Sequence, residues 1–248
     1  MTYNFTVSPD FNPKHLSGWF IFNTWLQRAI GIGLHLELYN DYSSQRQAIA
    51  DDRFDLIYAN PYDASVLVRQ KGFVPLACAE GKADEAIIAV RADYPAQRVE
   101  DLQPGVRIAT TEDADVNMIC MIMLEPADLN ASNIEIKQCE SFVLVAKRLI
   151  KGEADAGFFL EETYHDLSDV IGQELRPIAQ SQIQVINHVL LLGPRLLERR
   201  EDVLSQLLAM NDDEKGRSVL QGLGFRAWAA VEREDTEFMF DLIDALGR

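Results

Sequence analysis

Three carboxylates lie close together near the middle of the sequence, where Glu112, Asp113 and Asp115 follow Thr111. They come after a run that predicts a strand and before an apolar run that predicts a helix. Carboxylates at the start of a helix accept free backbone N–H groups and are favoured by the positive end of the helix dipole. The same oxygens could instead contact a cationic group or a metal ion. The segment therefore predicts either helix capping or an acidic binding site.

None of the short motifs that mark common catalytic sites occurs in the sequence. The Gly-x-Ser-x-Gly, Walker and His-Glu-x-x-His patterns are missing, and His15, His35 and His165 lack metal-ligand spacing. The acidic residues also lack the spacing of a calcium loop. We therefore predict no catalytic residues, no metal site and no cofactor.

The balance of charges limits the partners that the chain can bind. With 23 Lys and Arg against 39 Asp and Glu, the formal net charge of −16 repels DNA, RNA and anionic membranes. No segment approaches the roughly 18 consecutive apolar residues of a membrane span, so we predict no membrane insertion. The sequence opens without the basic start and apolar core of a secretory signal. We therefore predict a cytoplasmic protein, or a periplasmic one from which a signal peptide has been removed.

The cysteines do not form a recognisable framework. Cys78, Cys120 and Cys139 are odd in number, widely spaced and without a Cys-x-x-Cys pair. This pattern predicts buried free thiols rather than a disulfide framework or a zinc site. A single bridge between Cys120 and Cys139 stays open.

Strand-like and helical runs alternate along the chain, which predicts an α/β protein with mainly parallel sheets. One helix carries its apolar residues at Trp19, Phe22, Leu26 and Ile30 and ends at Gly31. Further helices are predicted at 45–52, 61–72, 118–124 and 142–151. Strands are predicted at 5–7, 34–39, 54–58, 74–77, 106–109, 134–136 and 154–159.

Two further apolar runs, Ala86–Val90 and Val185–Leu192, bracket the middle of the chain. They predict a first lobe made of residues 1–86 and of a return segment, 188–248. The two runs are predicted to be crossing strands that join this lobe to an inserted lobe, 87–187. The return segment after Leu192 is predicted to be purely helical.

The order of these pieces resembles the phosphate/phosphonate family of ABC-transporter solute-binding proteins, which have the type II periplasmic-binding fold. The matching pieces are short turns and strand ends, spread over nearly the whole chain. They are Asp55–Tyr62, Ala86–Asp93, Val99–Gly105, Gly152–Gly157 and Val219–Phe225. The resemblance implies two three-layer α/β/α lobes, joined by two crossing strands, with a ligand bound in the cleft between them.

The resemblance also implies which residues contact the ligand, because they follow strands in both lobes. The candidates are Ser8, Tyr42, Asn60 and Tyr62 in the first lobe, Thr111, Glu112, Asp113, Asp115, Glu140 and Ser141 in the inserted lobe, and His188 beside the hinge. For the two tyrosines and for the histidine, a purely structural role is the competing interpretation.

The segment Thr110–Val116 departs from the family pattern, in which a small-hydroxyl, glycine-containing loop at a helix start holds an oxyanion. Here three carboxylates stand in that loop, and Asp84–Glu85 replaces the aromatic hydroxyl that the family tends to place before the first crossing strand. Repulsion between a carboxylate and each ligand charge about 4 Å away is on the order of 4 kcal/mol at an effective dielectric near 20. We therefore predict that phosphate and phosphonate are not tight ligands, and that an amine-bearing solute fits better.

The leading hypothesis for function is the capture of a small-molecule solute by hinge closure. A secreted protein of this kind would serve a membrane permease, whereas a cytoplasmic one would be a sensor or carrier recognised by a signalling partner. The alternative is a cytoplasmic enzyme on the same scaffold, a lyase resembling those of menaquinone biosynthesis, whose clustered carboxylates do acid–base work. A third class, the effector module of a transcriptional regulator, is disfavoured by the net charge of −16 and by the missing DNA-binding segment.

Overall fold

Two β-sheets organise the computed structural model, which describes residues 2–246 of the chain. They belong to two compact units, and the chain passes from one unit to the other after Ala83, after Ile186 and after Leu242. The first unit therefore contains the segment up to Ala83 and Asn187–Leu242. The second contains Asp84–Ile186 and residues 243–246, which had been predicted to belong to the first lobe.

The described residues form eleven strands and ten α-helices. The strands are β1 Thr2–Val7, β2 Gly33–Leu36, β3 Leu56–Ala59, β4 Val74–Ala79, β5 Ala86–Arg91, β6 Arg107–Thr110, β7 Glu135–Gln138, β8 Ala156–Leu160, β9 Leu175–Gln180, β10 Val189–Leu192 and β11 Trp228–Ala230. The helices are α1 Leu16–Ile30, α2 Tyr42–Ala50, α3 Pro61–Lys71, α4 Ala114–Met123, α5 Phe142–Ile150, α6 Glu161–His165, α7 Asp169–Gly172, α8 Arg200–Leu208, α9 Glu214–Leu223 and α10 Arg233–Leu246.

The sheet of the first unit has the strand order β11-β4-β10-β3-β1-β2. Strands β1, β2 and β3 are parallel, whereas β10 runs antiparallel to both β3 and β4. Leu56 and Tyr58 of β3 belong to the core cluster that includes α1, α8 and α9. Because side chains alternate along a strand, Ile57 points to the opposite face, where α3 packs against β3 and β10. Helices therefore cover both faces, as predicted for a three-layer lobe.

Helix α1 packs its apolar face into the core cluster of the first sheet. Its predicted apolar residues Trp19, Phe22, Leu26 and Ile30 are all buried, and Gly31 ends it in the left-handed conformation with φ 67°. Burial of one such large side chain stabilises the fold by about 2–3 kcal/mol. The helix prediction from apolar spacing is confirmed.

Helices α1 and α9 approach each other very closely at a pair of glycines. A Cβ atom added to Gly18 of α1 would lie 2.2 Å from the carbonyl oxygen of Gly222 in α9. Only a residue without a side chain fits there. The contact holds the C-terminal part of the first unit against its N-terminal helix.

The sheet of the second unit has the strand order β7-β6-β8-β5-β9. Strand β6 is parallel to β7 and β8, whereas β5 is antiparallel to β8 and β9. Helix α5 buries Val145, Ala146 and Leu149 against Ile87 and Phe159 of this sheet. Helix α4 packs on β5 and β8. The α/β class predicted from the sequence is confirmed.

Four details of the sequence prediction are wrong. Five of the nine strand pairings in the described part of the chain are antiparallel, so the sheets are not mainly parallel. Strand β9 was missed because it contains Pro177, which edge strands tolerate. Strand β11 interrupts the return segment that was predicted to be purely helical, and it has only three residues. Of the run Val185–Leu192, only Val189–Leu192 is a strand.

Cys78, Cys120 and Cys139 are all free thiols, which answers the question of a Cys120–Cys139 bridge. The Cys120 thiol is fully buried, and this burial, with a smaller contribution from the charge of Asp113, raises its pKa well above the usual value. A thiol in that condition is a packing residue rather than a nucleophile. Among residues 2–246, no helix is long and apolar enough to cross a membrane.

Candidate functional site

Ser8 and Asn60 lie side by side at the carboxyl edge of the first sheet. They directly follow β1 and β3, which are parallel neighbours, so the two strands end at the same edge. The Asn60 side-chain amide donates a hydrogen bond to the Ser8 hydroxyl at 3.1 Å, and both residues are buried. The structure thus brings together two of the predicted site residues.

Asn60 is also the N-cap of α3, because Pro61 favours an extended conformation in the residue before it and fits the first helical position. The Asn60 side-chain oxygen accepts the backbone N–H of Asp63 at 2.8 Å. Its amide nitrogen donates to the Asp63 carboxylate at 2.9 Å. Asn60 therefore links Ser8 to Asp63, a residue that the sequence analysis missed.

Arg46 of α2 brings the two predicted tyrosines together. Its guanidinium donates two hydrogen bonds to Asp63, at 2.7 and 3.2 Å. Its Cζ atom lies 5.0 Å from the ring centroid of Tyr42 and 5.2 Å from that of Tyr62. Burial lowers the pKa of Arg46, but the hydrogen bonds and charge of Asp63 raise it by more, so the guanidinium is firmly charged.

Asp10 and His188 form a buried, hydrogen-bonded pair in the first unit. The His188 Nε2 atom lies 3.0 Å from the Asp10 carboxylate, and the two side chains are only 12% and 4% exposed. The Tyr58 ring stacks on the imidazole with centroids 5.3 Å apart. Burial raises the pKa of Asp10, but His188, with smaller contributions from Ser8 and Tyr42, lowers it by more, so the net pKa is lowered. Asp10 thus connects His188 to the other predicted residues of this unit.

In the second unit, the acidic segment begins α4 as the capping interpretation predicts. Asp113 is the N-cap residue, and its carboxylate accepts the backbone N–H of Val116 at 3.0 Å. The Thr111 hydroxyl accepts the N–H of Asp113 at 3.3 Å. Asp113 and Asp115 are buried, whereas Glu112 is exposed. The chain's own side chains therefore satisfy N–H groups that would otherwise be available to an oxyanion.

Glu140 and Ser141 lie at the same edge of the second sheet as this acidic segment. Their strand, β7, is parallel to β6, and the N–H of Cys139 donates to the carbonyl of Thr110 at 2.8 Å. Ser141 caps α5 by accepting the N–H of Leu144 at 3.4 Å. Both residues are exposed, so they are accessible to a solute.

Glu85 has a structural role in the second unit. Its carboxylate accepts hydrogen bonds from the Ser181 hydroxyl and, at 2.7 Å, from the backbone N–H of Gln184. Ser181 in turn accepts the N–H of Ala86 at 2.8 Å. Glu85 thus holds the loop that follows β9, instead of supplying the aromatic hydroxyl of the family pattern.

The eleven predicted site residues therefore form two groups, one at the carboxyl edge of the sheet in each unit. In the first unit the group is completed by Asp10, Arg46 and Asp63, which the sequence analysis did not identify. The sequence offered two signals for them. Arg46 follows Tyr42 by four residues on one helix, and Asp63 is three residues after a capping asparagine. Within residues 2–246, no cluster of three or more His, Cys, Asp or Glu side chains is placed to hold a metal ion.

The two α/β units, each with polar residues at the carboxyl edge of its sheet, have the organisation expected of periplasmic-binding proteins with the type II fold. The chain belongs to the family described as ABC transporter, phosphonate, periplasmic substrate-binding protein, whose sequence profile matches residues 5–236. No protein of curated function matches the sequence.

Several solved structures have the same fold. PhnD1 from Prochlorococcus marinus (MIT 9301), in complex with methylphosphonate, is 12% identical, with 99% of this chain and 98% of that chain covered and a TM-score of 0.83. A binding-protein component of an ABC phosphonate transporter from Pseudomonas aeruginosa is 14% identical, with 100% and 89% covered and a TM-score of 0.78. A Xanthomonas citri protein bound to ATP is 15% identical, with 100% and 97% covered and a TM-score of 0.80. At these identities the likeness shows the fold alone.

The family and the type II fold predicted from the sequence are confirmed, and with them solute binding as the function of the family. The family is periplasmic, so the predicted cytoplasmic location finds no support. The lyase alternative finds none either, because the family consists of solute-binding proteins. A direct role of the eleven residues in ligand binding stays a prediction.

Proposed function

We propose that this chain is the periplasmic component of an importer and captures a small solute that carries a cationic amino group. Membership in a family of transport binding proteins supports the general role. The observation that carries the choice of solute is the acidic start of α4, where the Asp113 carboxylate accepts a helix N–H group itself. A membrane permease is the partner that would receive the solute.

The charges of the candidate residues favour a cation over an anion. In the first unit, the guanidinium of Arg46 faces Asp63 and the imidazole of His188 faces Asp10, so each of these side chains already has a carboxylate partner. In the second unit, the candidate segment contributes three carboxylates and no basic residue. An ammonium group about 4 Å from one carboxylate gains on the order of 4 kcal/mol at an effective dielectric near 20, before desolvation is subtracted. A phosphonate at the same place would be repelled by a similar amount.

Isothermal titration of the full chain tests this choice with three probes: methylphosphonate, ethanolamine and 2-aminoethylphosphonate. We expect one or both amines to bind at neutral pH, and methylphosphonate alone to give no saturable heat at millimolar concentration. Micromolar binding of methylphosphonate would contradict the proposal.

The matched variant is Asp113→Asn, because asparagine caps helices as well as aspartate but carries no charge. We expect this variant to fold normally and to lose at least tenfold in affinity for the amine probe. An unchanged affinity would show that the Asp113 charge does not select the solute. Glu198→Gln, a change at an exposed residue of the first unit, serves as the control.

A further inference from the structure

Arg46 connects the starts of two helices in the first unit. It belongs to α2, one turn after Tyr42, whereas Tyr62 and Asp63 belong to the first turn of α3. The guanidinium lies close to both tyrosine rings and is fixed by two hydrogen bonds to the Asp63 carboxylate. The side chain of Arg46 thus contacts both tyrosines, which are candidates for the wall of the solute site.

The two tyrosines need this support to different degrees. Tyr42 is buried, but Tyr62 has 43% of its surface exposed. An exposed aromatic side chain samples several rotamers unless a neighbour restrains it, and a guanidinium near the face of a ring restrains it through a cation–π contact. Arg46 is therefore more important for the orientation of the Tyr62 ring than for the orientation of the Tyr42 ring.

Asp63 is the anchor that fixes Arg46. Its side chain is only 8% exposed, and Asn60 holds it through the side-chain amide. A carboxylate buried to this extent needs a charged partner. Arginine can bind Asp63 and restrain the tyrosine rings at the same time, because its planar group binds a carboxylate with two hydrogen bonds while its faces contact aromatic rings. Lysine cannot do both, because it is a point charge on a flexible stem.

We propose that Arg46 is a positioning residue for the solute. It holds Tyr62, and to a smaller extent Tyr42, as a fixed wall, and it neutralises Asp63 so that this carboxylate does not compete for a cationic solute. The inference rests on the proposed function, since it takes the two tyrosines as walls of the solute site. Arg46 itself acts through them and does not bind the solute.

The first measurement needs no solute. With 3-fluorotyrosine incorporated throughout the chain, the 19F signal of residue 62 is assigned by its loss in Tyr62→Phe. In the natural sequence we expect a resonance displaced from that of free fluorotyrosine. Arg46→Lys and Arg46→Met should both move it toward the free value. The control is Arg53→Lys, because Arg53 also binds a carboxylate, that of Glu37, with two hydrogen bonds in the same unit.

The second measurement uses 2-aminoethylphosphonate as the probe in isothermal titration. We expect Arg46→Lys to weaken binding at least tenfold and Arg53→Lys to leave it unchanged. Methylguanidinium at millimolar concentration should restore part of the affinity of Arg46→Ala, because it can enter the space beside the two rings.

The outcomes separate this inference from the proposed function. A Tyr62 resonance that ignores Arg46→Lys and Arg46→Met overturns the positioning role, whether or not the probe binds. A resonance that moves, in a protein that binds no amine probe, supports the control of the ring by Arg46 and refutes the proposed function. If Arg46→Lys weakened methylphosphonate binding and left the resonance in place, Arg46 would be a direct anion ligand and the inference would be wrong.

Discussion

The carboxylate of Asp10 keeps its charge in a buried place because His188 lies 3.0 Å from it. Taking a carboxylate out of water costs several kcal/mol unless a charged or hydrogen-bonding partner compensates. The lowered pKa of Asp10 indicates that this compensation outweighs the burial. The pair therefore ties the loop after β1 to the residue just before β10.

Asp10→Asn should destabilise the first unit by about 3 kcal/mol at neutral pH, because it leaves an imidazole facing a neutral amide. Since the pKa of Asp10 is lowered on folding, its contribution is fully present above the unfolded value of about 3.9. The contribution is lost as the pH falls through the lower, folded pKa. Urea denaturation at pH 7 and in acid measures both effects, and the gap between the natural chain and the variant should narrow in acid. A gap that is constant down to acid pH, or an equal loss in the exposed control Asp212→Asn, would contradict this assignment.

The sequence predicted the residues that follow strands, but not the side chains that are their partners. Ser8 and Asn60 were identified because each comes directly after a strand. Asp10 was missed because its partner is 178 residues away in the chain, and such a pairing depends on the order of strands in the sheet. Arg46 was missed because its charge on a short helix resembles any solvated helix face.

The pair of helices α1 and α9 shows how one missing side chain permits a close approach. Backbone atoms of Gly222 and Leu223 lie within 3.0 Å of where a Gly18 Cβ atom would be. A backbone neighbour cannot move away as the end of a flexible side chain can. Position 18 therefore tolerates a larger residue less well than the apolar positions around it do.

Gly18→Ala should lower the free energy of unfolding by about 3 kcal/mol, the upper end of the cost of overpacking, because the added methyl group forces α1 and α9 apart. Gly172→Ala is the control, since nothing lies within 4 Å of an added Cβ there. Chemical denaturation followed by tryptophan fluorescence reports on both variants. If Gly18→Ala were as stable as Gly172→Ala, the two helices could separate without a cost in free energy.

Elements with distinct ends were predicted best from the sequence. Helices α1 and α3 end at Gly31 and Gly72, both with positive φ, and both ends were predicted. Strands β9 and β11 have no such residues at their ends. Both lie at sheet edges, where a strand pairs with only one neighbouring strand. The parallel arrangement was overestimated because antiparallel β10 and β5 have the continuous apolar sequences that are typical of buried parallel strands.

The chain is divided into two units, and we expect ligand-dependent closure of these units to be the mode of capture. A solute shifts the population of closed molecules only if it binds the closed form more tightly than the open one. Whether a solute causes closure therefore depends on its relative affinity for the two forms, and not on the protein alone.

We expect small-angle scattering to record a smaller radius of gyration with any amine probe that stabilises the fold. At a concentration of 100 times its dissociation constant, such a probe should stabilise the protein by about 2.7 kcal/mol, which thermal melting detects. Methylphosphonate serves as the comparison that should change neither quantity. Scattering profiles that are identical with and without a stabilising probe would exclude closure.

The position of β10 between β3 and β4 also determines the order in which the molecule can be completed. The segment up to Ala83 comes early in the chain, but the strand that joins β3 to β4 begins only at Val189. All five strands of the second sheet lie between Ala86 and Gln180, so that sheet can assemble while the first is still divided. The N-terminal part of the first unit therefore has an unpaired edge on β3 until β10, which begins about three quarters of the way along the chain, pairs with it.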